Sequence, residues 1–103
     1  MNKECILPLG AIVRLIDGTQ PILIMGRGQL CEVNGTTGYF DYCAVPYPQG
    51  VLAKDQFAFF NDEDIAEVVF EGYRNEEEIA FAEAYKENIS KVPYPKLKVT
   101  SNG

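Results

Sequence analysis

Phe59-Phe60-Asn61-Asp62-Glu63-Asp64-Ile65-Ala66-Glu67-Val68-Val69-Phe70-Glu71-Gly72-Tyr73 is the stretch that decides the fold. An acidic turn interrupts an aromatic pair and leads into a β-branched run. Asn61 is placed to cap a single helical turn over Asp62-Glu63-Asp64. Ala66 to Glu71 then reads as a strand, with Val68 and Phe70 on one face and Glu67, Val69 and Glu71 on the other. Gly72 and Tyr73 stop it just before a helix start. Asn75 is a good N-cap, and Glu78 completes the reciprocal capping pattern three residues on. Glu76, Glu77 and Glu78 fill the first turn, where the helix dipole favours negative charge. Phe81, Ala82, Tyr85, Ile89 and Val92 recur at helical spacing. Pro93-Tyr94-Pro95 ends the helix, which is predicted from about Glu76 to about Ser90.

Upstream, the pattern is that of strands joined by short turns. Leu7-Pro8-Leu9-Gly10 opens the domain with a turn. Ala11 to Ile16 alternates as a strand, and Asp17-Gly18 is hairpin chemistry. Ile22 to Met25 is a short, wholly apolar run that suits a central strand. Gly26-Arg27-Gly28 predicts a bulge or bend rather than a dinucleotide fingerprint, since the third glycine is missing and no helix follows. Gln29 to Val33 resumes extended structure, Asn34 to Gly38 turns, and Tyr39 to Val45 returns. The expected fold is α+β: a small antiparallel sheet or SH3-like open barrel with one C-terminal helix packed on it. Residues 1–92 are read as one domain and 93–103 as a flexible tail.

Composition bounds the function. The chain has 103 residues, 47% apolar and 12% aromatic, with a formal net charge of −6. That suits a single packed domain. The negative balance argues against nucleic acid, whose recognition needs clustered Lys and Arg. No apolar run approaches the ~20 residues a membrane helix needs. The first residues lack the apolar stretch of a secretion signal. A cytoplasmic protein is therefore expected. Cys5, Cys31 and Cys43 are odd in number and lack metal-ligand spacing. Cys31 and Cys43 could face each other on a hairpin, but reduced, half-buried thiols are the expectation.

There is no histidine. The commonest general base and metal ligand at neutral pH is thus missing, and a Ser or Cys nucleophile would lack its usual activator. Asp62, Glu63 and Asp64 do not have the alternating spacing of a calcium loop. Asp41 with Asp62 or Glu63 could imitate a carboxylate pair, as in any acidic protein. The expectation is a non-enzyme with no metal and no cofactor. The aromatics Tyr39, Phe40, Tyr42, Tyr47, Phe57, Phe59 and Phe60 exceed what one face of a small sheet needs. Four are expected in the core. Tyr42, Tyr47 and Phe59 are the candidate partner-binding residues, unless the terminal helix covers them. Pro46 and Pro48 stiffen the segment that carries Tyr47.

With these residues in place, the chain resembles the bacterial "domain of unknown function 4176" family from about Leu7 to about Tyr85. The resemblance is carried by Leu7-Pro8-Leu9-Gly10, Ile24-Met25-Gly26-Arg27, Tyr39-x-Asp41-Tyr42, Pro46-Tyr47-Pro48-x-Gly50, Phe60-Asn61-x-Glu63-Asp64-Ile65 and Phe70-Glu71-Gly72-Tyr73, in that order. Proteins of this kind are similar to small accessory proteins of type VII secretion in Gram-positive bacteria. The resemblance implies a cytoplasmic adaptor or chaperone for an LXG-class toxin, its partner being the secreted toxin or a helical targeting protein. An immunity protein that neutralises a toxin domain is the alternative. The family brings no catalytic residues with it. Homodimerisation is left open.

Overall fold

A computed structural model of the chain describes residues 6–54 and 57–99. Five strands form one antiparallel sheet: β1 (Ile12–Leu15), β2 (Ile22–Val33), β3 (Thr36–Pro46), β4 (Ala58–Phe60) and β5 (Ile65–Phe70). Their order across the sheet is β4-β3-β2-β1-β5. The first four strands run as a meander, and the acidic turn carries the chain back to pair β5 with β1. The sheet is open, with β4 and β5 as its edges. The helix α1 (Glu76–Asn88) follows and tightens into a 3-10 turn over Ile89–Lys91. The predicted α+β class, with an antiparallel sheet and one C-terminal helix, is the observed one.

The long β2–β3 hairpin turns on Asn34 and Gly35 alone, both with positive φ (52° and 82°). That is the two-residue turn whose twist matches the flanking strands. The return strand therefore begins at Thr36, earlier than the aromatic run at Tyr39 suggested. The predicted bulge is present: the register of β2 on β3 jumps between Ile24 and Gly26 and leaves Met25 without a partner. It bends β2 where the helix crosses. Gly28 (φ 61°) completes this seat, because a Cβ there would stand 2.8 Å from the Tyr85 ring. The edge strand β5 carries two register shifts against β1. With Glu67 on the strand, these irregularities blunt an edge that would otherwise invite pairing with another chain.

The core lies on one side of the sheet. Val13, Ile22, Ile24, Tyr42, Ala44 and Phe60 pack there together with Ile6, Leu7, Ala11 and Ala82. The opening segment is thus not a mere turn: Ile6, Leu7 and Pro8 are buried, and Tyr42 fixes Leu7 by accepting its N–H. Among the described residues of α1, Ala82 alone is buried. Tyr85 packs partly buried against the core, and Ile89 is half-buried. Phe81 and Val92, the remaining members of the predicted stripe, are exposed. The stripe is real but only its middle is used.

What docks the helix instead is charge. Arg27, nearly buried, places its guanidinium 2.7 Å from Glu78. It also lies 4.3 Å from the centroid of the Phe81 ring and donates to the Leu7 carbonyl. Arg74 pairs with the same Glu78 and donates to the Ile6 carbonyl. Asn75 caps the helix, accepting the Glu78 N–H at 2.8 Å, but the Glu78 carboxylate goes to Arg27 and Arg74 and not back to the cap as the reciprocal pattern predicted.

Candidate partner-binding site

The three candidate residues do not form one surface. Tyr42 has no exposed surface. Its ring packs 5.3 Å from that of Phe60, and its hydroxyl donates to Asp62 at 2.9 Å while accepting from Leu7. Burial pushes this hydroxyl far above the ordinary tyrosine range, and the Asp62 carboxylate adds to the effect. Tyr42 is therefore a core residue, and its place in an exposed patch is corrected. The physical reason is register: Tyr42 pairs with Phe60 and so points to the core side, whereas the neighbouring pair Cys43–Phe59 points to the other.

Phe59 is at the margin of exposure and leans on Phe40, ring centroids 6.0 Å apart. Tyr47 lies four residues beyond Cys43, the partner of Phe59. At ~3.3 Å per residue that is about 13 Å along the strand direction. Tyr47 is 47% exposed. Its backbone is held on both sides: its N–H donates to the Pro21 carbonyl at 2.9 Å, and its own carbonyl accepts from the Gln20 amide at 2.7 Å. Local stiffening by Pro46 and Pro48 is thus reinforced from the β1–β2 turn, which sequence reasoning did not connect to it.

Cys31 and Cys43 are both free. They do not face each other: Cys31 stands opposite Gly38 and Cys43 opposite Gly26. Burial raises both thiols above their ordinary range. Cys5 lies outside the described residues.

A second constellation was missed from sequence. Asp41 and Asn61 are buried polar residues. Asp41 accepts the Asp62 N–H at 2.9 Å and the Tyr85 hydroxyl at 3.2 Å, and it pairs with Lys96 at 3.2 Å. Burial, then the Asp41 carboxylate, pushes the Tyr85 hydroxyl well up. Asn61 was read as the cap of the acidic turn, and its N–H is indeed held by Asp64 at 2.9 Å. Its side chain does something else. Its Oδ1 accepts the Asp41 N–H at 3.0 Å, and its Nδ2 donates to the Leu97 carbonyl at 2.6 Å. Lys96 also reaches Glu63 at 3.0 Å. The segment expected to trail as a tail is therefore laid along β3 by a parallel bridge of Lys96 to Tyr39. The only sequence signal was a lysine and a leucine after a proline pair, with nothing to say what they would meet.

Among the described residues, no three or more His, Cys, Asp or Glu side chains group as a metal site would require. No helix among them is long and apolar enough to cross a membrane.

No curated protein and no solved structure matches the chain. A family model does, over residues 6–81, a span that takes in the whole sheet, the acidic turn, Asn61 and the Arg27–Glu78 pair. The chain belongs to the family described as Domain of unknown function (DUF4176).

Proposed function

We propose that the chain is a non-catalytic cytoplasmic adaptor or chaperone for a type VII-secreted, LXG-class toxin. The resemblance set out above supplies the partner class, and Tyr47 carries the structural side of the reading. Its backbone is fixed by the Pro21 and Gln20 hydrogen bonds while the residue stands half in solvent. An aromatic ring on a pinned backbone can bind with little further loss of freedom. Rings of this kind are favoured anchors in protein interfaces. Val51 and Leu52, a few residues further along the chain, are also exposed. Phe59 is a secondary contact.

The test is affinity for a purified toxin targeting region, measured beside the melting temperature, on wild type and on Tyr47→Ala. Weaker binding with unchanged melting supports the contact. Lower melting with unchanged affinity of the folded fraction refutes it. Binding to the C-terminal toxin domain in place of the helical targeting region would favour the immunity alternative.

A further inference from the structure

The groove beside Tyr39 has the features of a receptor for an extended chain. Tyr39 uses both of its backbone groups: its N–H donates to the Pro95 carbonyl at 3.0 Å and its carbonyl accepts the Leu97 N–H at 2.8 Å. Gly38 makes room, since a Cβ there would lie 2.6 Å from both the Leu97 side chain and the Pro95 carbonyl oxygen. Asn61, 1% exposed, has its amide aimed into the groove at the Leu97 carbonyl. Residues 95–97 both satisfy that amide and cover it, which ties its burial to their presence. Asp41 and Glu63 supply two carboxylates for one cation. Backbone pairing, room, a buried amide and an anionic pair thus converge on three residues, Pro95-Lys96-Leu97.

The groove and its occupant differ in standing. Gly38, Tyr39, Asp41, Asn61 and Glu63 all lie within the family match at 6–81, and residues 95–97 lie beyond it. The occupant is also lightly held. Around the half-buried Leu97, residues 93–96 and 98–99 are all exposed. A segment with so little buried surface belongs to the least stable part of a fold.

We infer that this groove is a docking site for an extended segment of a partner protein, bound parallel to β3 as an added strand, with a cation followed by an aliphatic residue. Residues 95–97 of the chain hold the site until the partner displaces them. The inference rests on the reading of the protein as a binding module and gives the chemistry of one contact. Main-chain pairing supplies affinity in such strand addition, and the pockets for alternate side chains supply selectivity. Here the Asp41–Glu63 pair selects the cation.

The probe is a labelled synthetic peptide, Pro-Tyr-Pro-Lys-Leu-Lys-Val, titrated by fluorescence anisotropy against three full-length proteins. These are wild type, a tail-released variant (Lys96→Glu with Leu97→Glu), and the released variant with Gly38→Val. A tethered competitor acts at an effective concentration of roughly millimolar. The released variant should therefore bind the peptide at least about tenfold more tightly than wild type, and Gly38→Val should abolish that binding. Adding Glu63→Lys to the released variant should weaken binding about threefold, as for an exposed ion pair. Equal affinity of released and wild-type proteins, or indifference to Gly38→Val, overturns the inference. If the released variant does not fold, wild type is titrated with several millimolar peptide by NMR. Movement of the Lys96 and Leu97 amide signals supports displacement, and fixed signals overturn it. Dimerisation of wild type without peptide, abolished by Gly38→Val, would assign the groove to a second copy and also overturn it. No toxin enters these assays, so peptide binding without toxin binding refutes only the adaptor reading. Toxin binding without peptide binding refutes only the groove.

Discussion

Phe60 on β4 and Tyr85 on α1 are aromatic residues turned toward the same interior, but they are held differently. Phe60 is fully buried against Tyr42. Tyr85 is half-buried, its ring on the bare backbone of Gly28 and its hydroxyl on Asp41. The contrast extends to the elements that carry them. The sheet contributes most of the buried apolar core and the opening segment adds Ile6, Leu7 and Ala11, while α1 adds only Ala82. The helix is fastened by Arg27, Arg74 and Glu78. A sheet built on burial and a helix docked through ions should fail under different insults. Hydrophobic burial is non-directional and tolerates small shifts. A buried ion pair depends on each partner being present.

Phe60→Ala is the harshest test. Truncating a fully buried phenylalanine costs about 3–5 kcal/mol. At about 4–8 °C per kcal/mol for a domain of this size, melting should fall by more than about 12 °C. The loss should be global, with amides of β2 and α1 losing exchange protection together. If the helix amides kept their protection while the sheet melted, the helix would be the more independent unit and the contrast would be reversed.

Glu78→Gln comes next. It keeps the shape and leaves Arg27, whose side chain is 7% exposed, without its anion. Breaking a buried pair in this way costs about 3 kcal/mol. Hydrogen exchange should show α1 loosening before β2. Uniform loosening of both would mean that sheet and helix form one cooperative unit.

How far this contrast could be read in advance follows from the range of the forces. The strands, the bulge at Gly26, the acidic turn and the Asn75 cap are local events. Alternation, turn residues and capping groups lie within a few positions of one another, so the sequence displays them. The burial of Tyr42 depends on a pairing with Phe60, eighteen residues away, and its side of the sheet follows from that register. No local pattern distinguished Tyr42 from Tyr47. The stripe on α1 was visible, but the bulged seat that admits only Ala82 and Tyr85 was not. The charges that dock the helix looked like ordinary surface residues, because Arg27 and Glu78 meet only in the folded chain. The contacts of residues 95–97 were hidden for the same reason: Gly38 and Asn61, which receive them, each have a sufficient local role.

Tyr85→Phe separates the two modes within one side chain. The ring and its contact with Gly28 remain, and only the 3.2 Å hydrogen bond to Asp41 is lost. Asp41 keeps Lys96 and the Asp62 N–H. The expected cost is about 1 kcal/mol, or roughly 4–8 °C in melting. A loss nearer that of Phe60→Ala would mean that the polar network, not the ring, seats the helix.

The smallest expected effect concerns the C-terminal segment, which carries the contrast to the surface. Burial alone would raise Glu63, but the hydrogen bond from Lys96, a backbone hydrogen bond and the charges of Lys96 and Lys98 together outweigh it and hold the carboxyl below its ordinary value. Burial alone would lower Lys96, but Glu63 and Asp41 outweigh it and raise the ammonium. The signs fix a window. The Glu63 contribution is present above its ordinary value and is lost as pH falls through the depressed one. The Lys96 contribution is present below its ordinary value and is lost as pH rises through the raised one. The clamp should therefore hold between about pH 5 and pH 10 and loosen outside that range. Salt should weaken it as well, since both groups meet solvent. The readout is the Leu97 amide, bonded to the Tyr39 carbonyl, against the Ile24 amide, bonded to the Ala11 carbonyl inside the sheet. On acidification to about pH 3 the Leu97 signal should lose protection before that of Ile24. Glu63→Gln should produce the same loosening at neutral pH. If Leu97 stays protected in Glu63→Gln and in high salt, the ions are dispensable. Asn61 and the Tyr39 backbone would then hold the segment unaided, and its attachment would resemble that of a strand rather than that of the helix.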